Sequence, residues 1–236
     1  MKKAYALSII VPTFNEGENI GVLIDSLQKN NLGNLVEIII SDGGSTDNTL
    51  AVAARAGAQA FVSPHKGRAT QMNYGSSLAT ADVLYFLHAD SLPPAGYADK
   101  ISEQIKNGYS IGCFRLQFDS TNWFLKANAW FTRFDYNAFR FGDQSLFVLK
   151  DVFMKAGGFN EKLIMMEDQE IIHRLKKYGK FTIIKQAIVT SSRKYAINGV
   201  YKMQGIFFLI YFLYKINIPQ NKLTGLYRRL IKQDKI

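Results

Sequence analysis

The stretch Leu84-Tyr85-Phe86-Leu87-His88-Ala89-Asp90-Ser91-Leu92 is an apolar run that ends in a histidine and an aspartate. A run of about five apolar and aromatic residues is typical of a buried strand. Open α/β sheets bind ligands at the carboxyl ends of their strands, and Asp90 stands at such an end, so it is a candidate metal ligand. Two structural roles remain as alternatives for Asp90, a turn residue or the N-cap of a helix after Pro94.

Strand and helix patterns alternate around this run. Apolar, partly β-branched segments predict strands at 7–11, 36–40, 58–62 and 83–87. Helical spacing and alanine-rich segments predict helices at 20–27, 50–56 and 67–78. Pro12 is expected to end the first strand, because proline cannot donate to a ladder. The alternation implies an α/β fold with a mainly parallel, mixed sheet flanked by helices.

The second half of the chain has a different character. Patterns predict a helix at 97–106, a strand at 111–118, a strand at 143–150, a short helix at 151–156, strands at 181–184 and 187–191, and C-terminal helices at 199–214 and 223–232. Residues 123–141 are rich in aromatic side chains, which suits either a helix lining an acceptor pocket or a helix packed on the core.

Composition indicates a globular chain whose catalytic region is one continuous domain. It has 236 residues, of which 47% are hydrophobic, and a single cysteine, Cys113, so no intrachain disulfide can form. A cytoplasmic setting is therefore expected. The apolar start is interpreted as a first strand and not as a signal peptide, and no run reaches the roughly 18 apolar residues of a membrane span.

The net charge of +10 is concentrated toward the C-terminus. From Arg193 onward the chain carries many bases, and Asp234 is its one acid. Such a tail favours an anionic partner such as phosphate, acidic lipid or nucleic acid, with a solvated basic face as the alternative. The apolar run 206–214 beside it suggests peripheral contact with an anionic membrane, or else core packing or a homodimer contact. Nucleic acid is the weaker option, since no recognition motif is present.

Acidic residues follow three of the predicted parallel strands: Glu16, Asp42 and Asp90. The carboxyl ends of parallel strands share one edge of a sheet, so these acids are expected to meet in one crevice. Lys66, Arg68 and Gln71 could meet the charge of a diphosphate there. The P-loop pattern and the dinucleotide-binding glycine pattern are both absent.

A second pair of acids, Glu167 and Asp168, begins a predicted helix that ends in lysines. Acids in the first turn and bases in the last turn suit the helix dipole, so a structural role exists for both carboxylates. On an α-helix, successive side chains point about 100° apart, so one of the two is expected to face the crevice.

Several of these segments together resemble the ordered landmarks of family 2 glycosyltransferases with the GT-A fold. The segments are Ile9 to Glu16, Ser41 to Asp47, Leu87 to Asp90, and Gly157 to Glu161 followed by Glu167-Asp168. The resemblance spans about residues 5–195. Finer patterns at 66–73 and 191–195 are similar to the radical-SAM/selenodomain-associated transferase subgroup.

The resemblance implies a nucleotide site. Pro12, Thr13 and Glu16 would line it, Asp42 would accept a hydrogen bond from the base, and Arg68 would lie near the diphosphate. Arg193 resembles a late basic residue that steadies the leaving group in some members of the family.

The resemblance also implies a metal and a catalytic base. Asp90 matches the metal-binding acid of the family's D-x-D motif, and His88 replaces the first aspartate, where it either weakens ribose contact or joins the metal site. Mn²⁺ or Mg²⁺ would be the cation. Asp168 matches the base that deprotonates the acceptor hydroxyl, with Glu167 as the neighbouring alternative.

The function implied is inverting, metal-dependent transfer of a sugar from a nucleotide-diphosphate donor to an acceptor hydroxyl or a lipid-linked acceptor. The alternative is a catalytically degenerate GT-A domain that acts as a membrane-surface binding module. The expected domain covers residues 1–198, with 199–236 as a helical, basic and hydrophobic appendage packed on it. The expected location is cytoplasmic, with the inner face of the cell membrane as a peripheral site.

Overall fold

The computed structural model describes residues 7–31, 36–136 and 144–232, and within these ranges one mixed sheet of eight strands carries helices on both faces. The strands are β1 (Leu7–Thr13), β2 (Val36–Asp42), β3 (Gln59–Val62), β4 (Val83–Phe86), β5 (Ser91–Leu92), β6 (Ile111–Phe118), β7 (Leu146–Leu149) and β8 (Phe181–Thr190). The helices are α1 (Ile20–Asn30), α2 (Thr49–Arg55), α3 (Arg68–Leu78), α4 (Tyr97–Lys106), α5 (Trp123–Phe131), α6 (Lys150–Lys155), α7 (Glu167–Leu175), α8 (Arg193–Asn198), α9 (Val200–Lys215) and α10 (Gln220–Leu230).

The strand order is β3-β2-β1-β4-β7-β6-β8-β5. Strands β1 to β4 are parallel to one another, β7 is antiparallel to β4 and β6, β8 is parallel to β6, and β5 is antiparallel to β8. The predicted mixed α/β sheet is confirmed. Its parallel part brings the carboxyl ends of β1, β2 and β4 to one edge. This is the edge at which Glu16, Asp42 and Asp90, the acids that follow these strands, were expected.

Alternate residues of the central strands supply two hydrophobic cores. Ile9 and Val11 belong to the core under α1, α4, α9 and α10, whereas Ile10 belongs to the core under α3, α6 and α7. Side chains of a strand point alternately to its two faces, so a strand buried on both faces reads as a continuous apolar run.

Strand β1 continues through Pro12, contrary to the expectation that proline would end it. Pro12 pairs in register with Ser41, and Thr13 pairs with Asp42. The carbonyl of Ile10 accepts the N–H of Leu87, so Ile10 faces β4, and the backbone nitrogen of Pro12 faces the same side. The β4 ladder has ended there, so the missing N–H of Pro12 interrupts no hydrogen bond of the ladder.

Two further expectations need correction, and two short elements were not expected. Residues 181–190 form one strand and not two, because β8 absorbs its irregularity as a register shift opposite Phe114 and Arg115. The short elements β5 and α8 have no sequence pattern long enough to predict them. The predicted strand at 143–150 is shorter, since Lys150 begins α6 and Asp143 lies outside the described residues.

The C-terminal helices share the main core. Met203, Ile206 and Ile210 of α9 and Leu223 and Tyr227 of α10 are buried in the same cluster as the residues of β1 and α1. Residues 199–232 therefore contribute to the hydrophobic core of the sheet.

Candidate active site

The turn after β2 is organised around the buried carboxylate of Asp42. Its Oδ1 accepts the backbone N–H groups of Gly44 at 2.9 Å and Ser45 at 2.7 Å. Its Oδ2 accepts the hydroxyls of Thr13 at 2.9 Å and Ser45 at 2.5 Å. Four donors offset the cost of burying the charge. The hydrogen bond predicted from a nucleotide base to Asp42 stays a prediction, and it has to share an oxygen that already accepts two donors.

Gln71 holds the carboxyl ends of β1 and β2 together. Its buried amide nitrogen donates to the carbonyls of Thr13 at 2.8 Å and Ser41 at 2.7 Å. A Cβ on Gly43 would lie 3.0 Å from Gln71 Oε1, so glycine allows this close approach. The prediction that the Gln71 amide contacts a diphosphate is wrong, because that amide already donates to both strand carbonyls.

Two more predicted residues lie in the loop after β1 or beside it. The backbone N–H of Glu16 donates to Thr49 Oγ1 at 2.8 Å, and Glu16 Oε2 accepts the amide of Asn19 at 2.9 Å. Lys66 Nζ lies 3.5 Å from the ring centroid of Phe14, a cation–π contact. These contacts fix the polar loop that Pro12 and Thr13 lead into, above the ends of β1 and β2.

The turn after β4 places His88 and Asp90. Asp90 lies in the turn, and its backbone carbonyl accepts the N–H of Ser191 at 3.2 Å. Helix α4 has Gly96 as its N-cap, so the N-cap alternative for Asp90 is wrong. The half-buried side chains of His88 and Asp90 thus follow the central strand directly, at the edge where the ends of β1 and β2 lie.

The start of α7 is held in an unusual conformation. Met166, immediately before the helix, has a φ of 68°, which is rare for a residue other than glycine. The Oε1 atom of Gln220, on α10, accepts the backbone N–H groups of Ile164 at 3.1 Å and Met165 at 3.0 Å. These bonds, with the packing around Met165, stabilise a turn that costs on the order of 1 kcal/mol or more.

The two acids that begin α7 have different surroundings. Glu167 is fully buried, and among the described residues neither of its carboxylate oxygens has a hydrogen-bond partner. Arg68 Nε lies 2.8 Å from Glu167 Oε1, which makes an ion pair without hydrogen-bond geometry. Burial raises the pKa of Glu167 to about 7, against the lowering effect of Arg68 and with a further increase from Asp168.

Asp168 is half-buried and faces a small cavity below the end of β4. Its other polar lining residues are His88, Gln144 and Ser145, and Cys113 and apolar side chains complete the wall. The volume of about 20 Å³ has room for about one water molecule. Gln144 Oε1 is buried and has no hydrogen-bond partner within the described part of the chain. The buried hydroxyl of Ser145 interacts with the hydroxyl of Tyr85. The cavity therefore offers one unsatisfied amide oxygen beside a carboxylate.

Arg193, at the start of α8, lines a separate cleft of about 290 Å³. The cleft lies between the C-terminal segment and the loops after β1 and β2, and its lining includes Asn15, Asp47 and Lys194. Arg193 therefore lies beside the loop after β1, and its role at the leaving group stays a prediction.

The donor set suits a cation that needs few protein ligands. No group of three histidine, cysteine, aspartate or glutamate side chains that could cage a metal occurs in residues 7–31, 36–136 and 144–232. Asp90 and His88 supply one hard oxygen donor and one imidazole, which fits a cation completed by substrate phosphates and water and does not fit a structural metal.

Sequence reasoning missed the residues that position these groups. Asn73 donates to the carbonyl of Phe159 at 2.9 Å and accepts its N–H at 2.8 Å, which fixes the loop ahead of α7 on α3. Gln144 and Gln220 act in the same way from distant parts of the chain. Each is a single amide in an ordinary polar segment, so the sequence carries no pattern that could have singled it out.

Comparisons with known proteins agree with this arrangement. The family model described as glycosyl transferase family 2 matches residues 8–160. An uncharacterised glycosyltransferase of Mycobacterium bovis is 28% identical over 106 residues, which cover 45% of this chain and 46% of the relative. A glucosyl-3-phosphoglycerate synthase of Mycolicibacterium smegmatis is 31% identical over 39% of this chain and 33% of its own length. The chain thus matches less than half of the length of these curated relatives.

Solved structures support the fold. A mannosyltransferase from Pyrobaculum calidifontis, in complex with GDP-Man and Mn²⁺, superposes with a TM-score of 0.71 at 15% identity. The superposition covers 89% of this chain and 63% of the mannosyltransferase chain. Glucosyl-3-phosphoglycerate synthase from Mycobacterium tuberculosis, in complex with Mn²⁺, UDP and glucosyl-3-phosphoglycerate, has a TM-score of 0.55 at 15% identity, covering 78% and 70%. The predicted GT-A fold is confirmed.

Proposed function

Because this chain belongs to glycosyltransferase family 2, we propose that it transfers a sugar from a nucleotide-diphosphate donor to an acceptor hydroxyl. The observation that carries the proposal is the meeting of Asp168 and His88 in one small cavity at the carboxyl end of β4. Arg68 lies at the same edge, against Glu167 at the start of α7. Asp168, His88 and Arg68 therefore lie at the edge where an α/β sheet binds its ligand, and Asp90 follows His88 in the same turn.

Asp168 acts as the catalytic base. It removes the proton of the acceptor hydroxyl while the acceptor oxygen bonds to the anomeric carbon and the bond to the diphosphate breaks on the opposite face. One such displacement inverts the anomeric configuration. Gln144 Oε1 lines the cavity without a hydrogen-bond partner in the described chain and is suited to accept the acceptor hydroxyl.

The donor binds on the side of β1 and β2. Pro12, Thr13 and Glu16 line the nucleotide, and Asp42 both fixes the turn and faces the base. The side chain of Arg68 is 40% exposed, so its guanidinium can exchange part of its contact with Glu167 for a diphosphate oxygen. Arg193 approaches the donor from α8 and steadies the leaving group.

Asp90 and His88 would hold a divalent cation, Mn²⁺ or Mg²⁺, together with donor phosphates. When bound, such a cation supplies Lewis-acid stabilisation of the departing diphosphate. The nucleotide-sugar complexes of the structural relatives support this choice, since their Mn²⁺ accompanies GDP-Man or UDP.

The wider setting is also proposed. Residues 1–198 form the transferase domain and 199–236 a C-terminal appendage that packs on it, the acceptor is a hydroxyl group that is free or lipid-linked, and the protein works in the cytoplasm at the inner face of the cell membrane. The patterns at 66–73 and 191–195 support membership of the radical-SAM/selenodomain-associated subgroup. The second candidate is a degenerate domain that only binds membranes, favoured by His88 in place of an acid.

The test is a panel of UDP-, GDP- and CDP-sugars with and without Mn²⁺, measured by thermal shift and by donor hydrolysis. Binding that needs both nucleotide and metal raises the melting temperature by mass action. Asp168→Asn is expected to abolish turnover while retaining donor binding, and Asp90→Ala to lose both. Asp151→Asn, an exposed acid on α6, is the control that keeps full activity. Unchanged turnover in both site variants would refute the transferase.

A further inference from the structure

Two neighbouring helices, α5 and α9, present exposed aromatic side chains to solvent. The exposed set, here called the aromatic face, consists of Trp123 and Trp130 on α5 and Tyr201, Phe208, Leu209 and Phe212 on α9, each between 41% and 68% exposed. The rings of Phe124 and Tyr201 lie 5.0 Å apart, and Asn128 donates to Gln204 at 3.2 Å. The two helices therefore form one continuous surface.

The aromatic face is separate from the part of α9 that packs on the core. Positions 201, 205, 208 and 212 recur at spacings of three and four and so share one side of the helix. Met203, Ile206 and Ile210 point to the other side and are buried in the main core. Core packing thus accounts for one side of α9 and leaves its exposed aromatic side unexplained.

Basic side chains border this face. By helical geometry Lys202 and Lys215 flank the aromatic stripe of α9 on its two sides. Both are exposed, and Arg133 stacks over the ring of Trp130 at 4.3 Å. The sequences of α5 and α9 contain no aspartate or glutamate. The face therefore combines an aromatic centre with bordering bases, and its own two helices supply no acid.

We propose that the aromatic face is a docking surface for an anionic lipid bilayer. Tryptophan and tyrosine have an apolar body and a polar tip, which suits the boundary between acyl chains and headgroups. Lysine and arginine at the border attract anionic headgroups. No helix in the described ranges is long and apolar enough to cross a bilayer, so α5 and α9 would lie along the surface.

Charge complementarity favours a membrane over a second copy of the chain. In a two-fold dimer the same patch faces itself, so lysines on the border would meet basic side chains and no acid of either helix could pair with them. An anionic bilayer supplies the missing negative charge. This proposal does not depend on the transfer reaction, so each can fail without the other.

Both tryptophans of the chain lie on the aromatic face, which makes their fluorescence a direct report of docking. The experiment mixes the full chain with vesicles of phosphatidylcholine alone or with 30% phosphatidylglycerol, at low and high salt, and measures flotation and quenching by brominated lipid. We expect flotation with the anionic vesicles only, a blue shift and quenching of the tryptophans, and release at high salt.

Paired variants identify the surface. Phe208→Ser with Phe212→Ser is expected to reduce binding at least tenfold, and Lys202→Gln with Lys215→Gln to reduce it by about fivefold per lysine. The controls are Tyr178→Ser, an exposed aromatic elsewhere, and Lys29→Gln with Lys106→Gln, which removes the same charge from α1 and α4. Thermal melting verifies that each variant is folded.

Three outcomes would overturn the proposal. They are no flotation at low salt, flotation without quenching of the tryptophans, and equal losses in the control pairs. Sedimentation that shows a dimer whose tryptophans are already shielded from a soluble quencher would assign the face to a second copy of the chain instead.

Discussion

Asp42 and Glu167 are both completely buried carboxylates at the same edge of the sheet, but their surroundings are opposite. Asp42 accepts four hydrogen bonds, two of them from backbone N–H groups. Glu167 has an ion pair with Arg68, and neither of its oxygens has a hydrogen-bond partner in the described chain. The fully bonded carboxylate holds a loop in shape, whereas the poorly bonded one carries a desolvation cost that makes it sensitive to protons and to the position of Arg68.

The largest expected effect is the loss of the Asp42 carboxylate. Asp42→Ala leaves four donors without their acceptor, so the free energy of unfolding should fall by about 3–5 kcal/mol in urea denaturation. The matched control Asp151→Ala removes an exposed acid of α6 and should change stability by less than about 0.5 kcal/mol. A loss at Asp42 as small as the control would show that the four bonds contribute little.

Glu167 should give a pH dependence of the opposite sign to that of an ordinary paired acid. Its pKa is about 7 in the folded chain and lies near 4.5 unfolded, so the folded state holds more protons between these values. The free energy of unfolding contributed by this group is therefore greatest below pH 4.5 and is lost as pH rises through 7, by about 3 kcal/mol.

Comparison with the Glu167→Gln variant isolates the pH-dependent contribution of Glu167 to the free energy of unfolding. The stability of the native chain relative to the variant should decline between pH 5 and pH 8 in urea denaturation, because glutamine does not titrate. A constant difference across this range would mean that Glu167 is ionised throughout, and the contrast with Asp42 would then rest on geometry alone.

Gln71 supports the same strand ends as Asp42, and its replacement should cost less stability than the loss of the Asp42 carboxylate. Gln71→Met keeps most of the volume and removes both hydrogen bonds to the carbonyls of Thr13 and Ser41, so a decrease of about 2 kcal/mol in the free energy of unfolding is expected. Gln28→Met removes one amide bond at an exposed position and serves as the control, with a change below about 0.5 kcal/mol. Equal effects of the two variants would contradict the bridging role.

The smallest effect concerns Arg68. Arg68→Gln removes the positive charge that lowers the pKa of Glu167, so the pH-dependent loss of stability should move to higher pH. The same pH series, compared with Lys66→Gln as a nearby charge-matched control, measures the shift. If the midpoint of the pH-dependent loss moves equally in both variants, the cause is the general positive field and not the 2.8 Å contact between Arg68 and Glu167.

Much of the fold could be predicted because it depends on local periodicity. The apolar runs of β1, β2 and β4, the helical spacing of α1, the position of Asp90 after β4 and that of Asp168 at the start of α7 are all visible along the chain. The match of four motifs in order likewise indicated the family. The persistence of β1 through Pro12 could not be seen, because it depends on where the neighbouring ladder of β4 ends.

The sequence by itself determined the α/β alternation, the acids at the strand ends, the family and the basic, aromatic C-terminal segment, since each is encoded in neighbouring residues. Only the tertiary structure decided that Asp42 is saturated and Glu167 is not, that Gln71 bridges two strands, and that α5 and α9 form one face. The reason is that these properties depend on contacts such as Gln71 to Thr13 and Asn128 to Gln204, which join residues 58 and 76 positions apart.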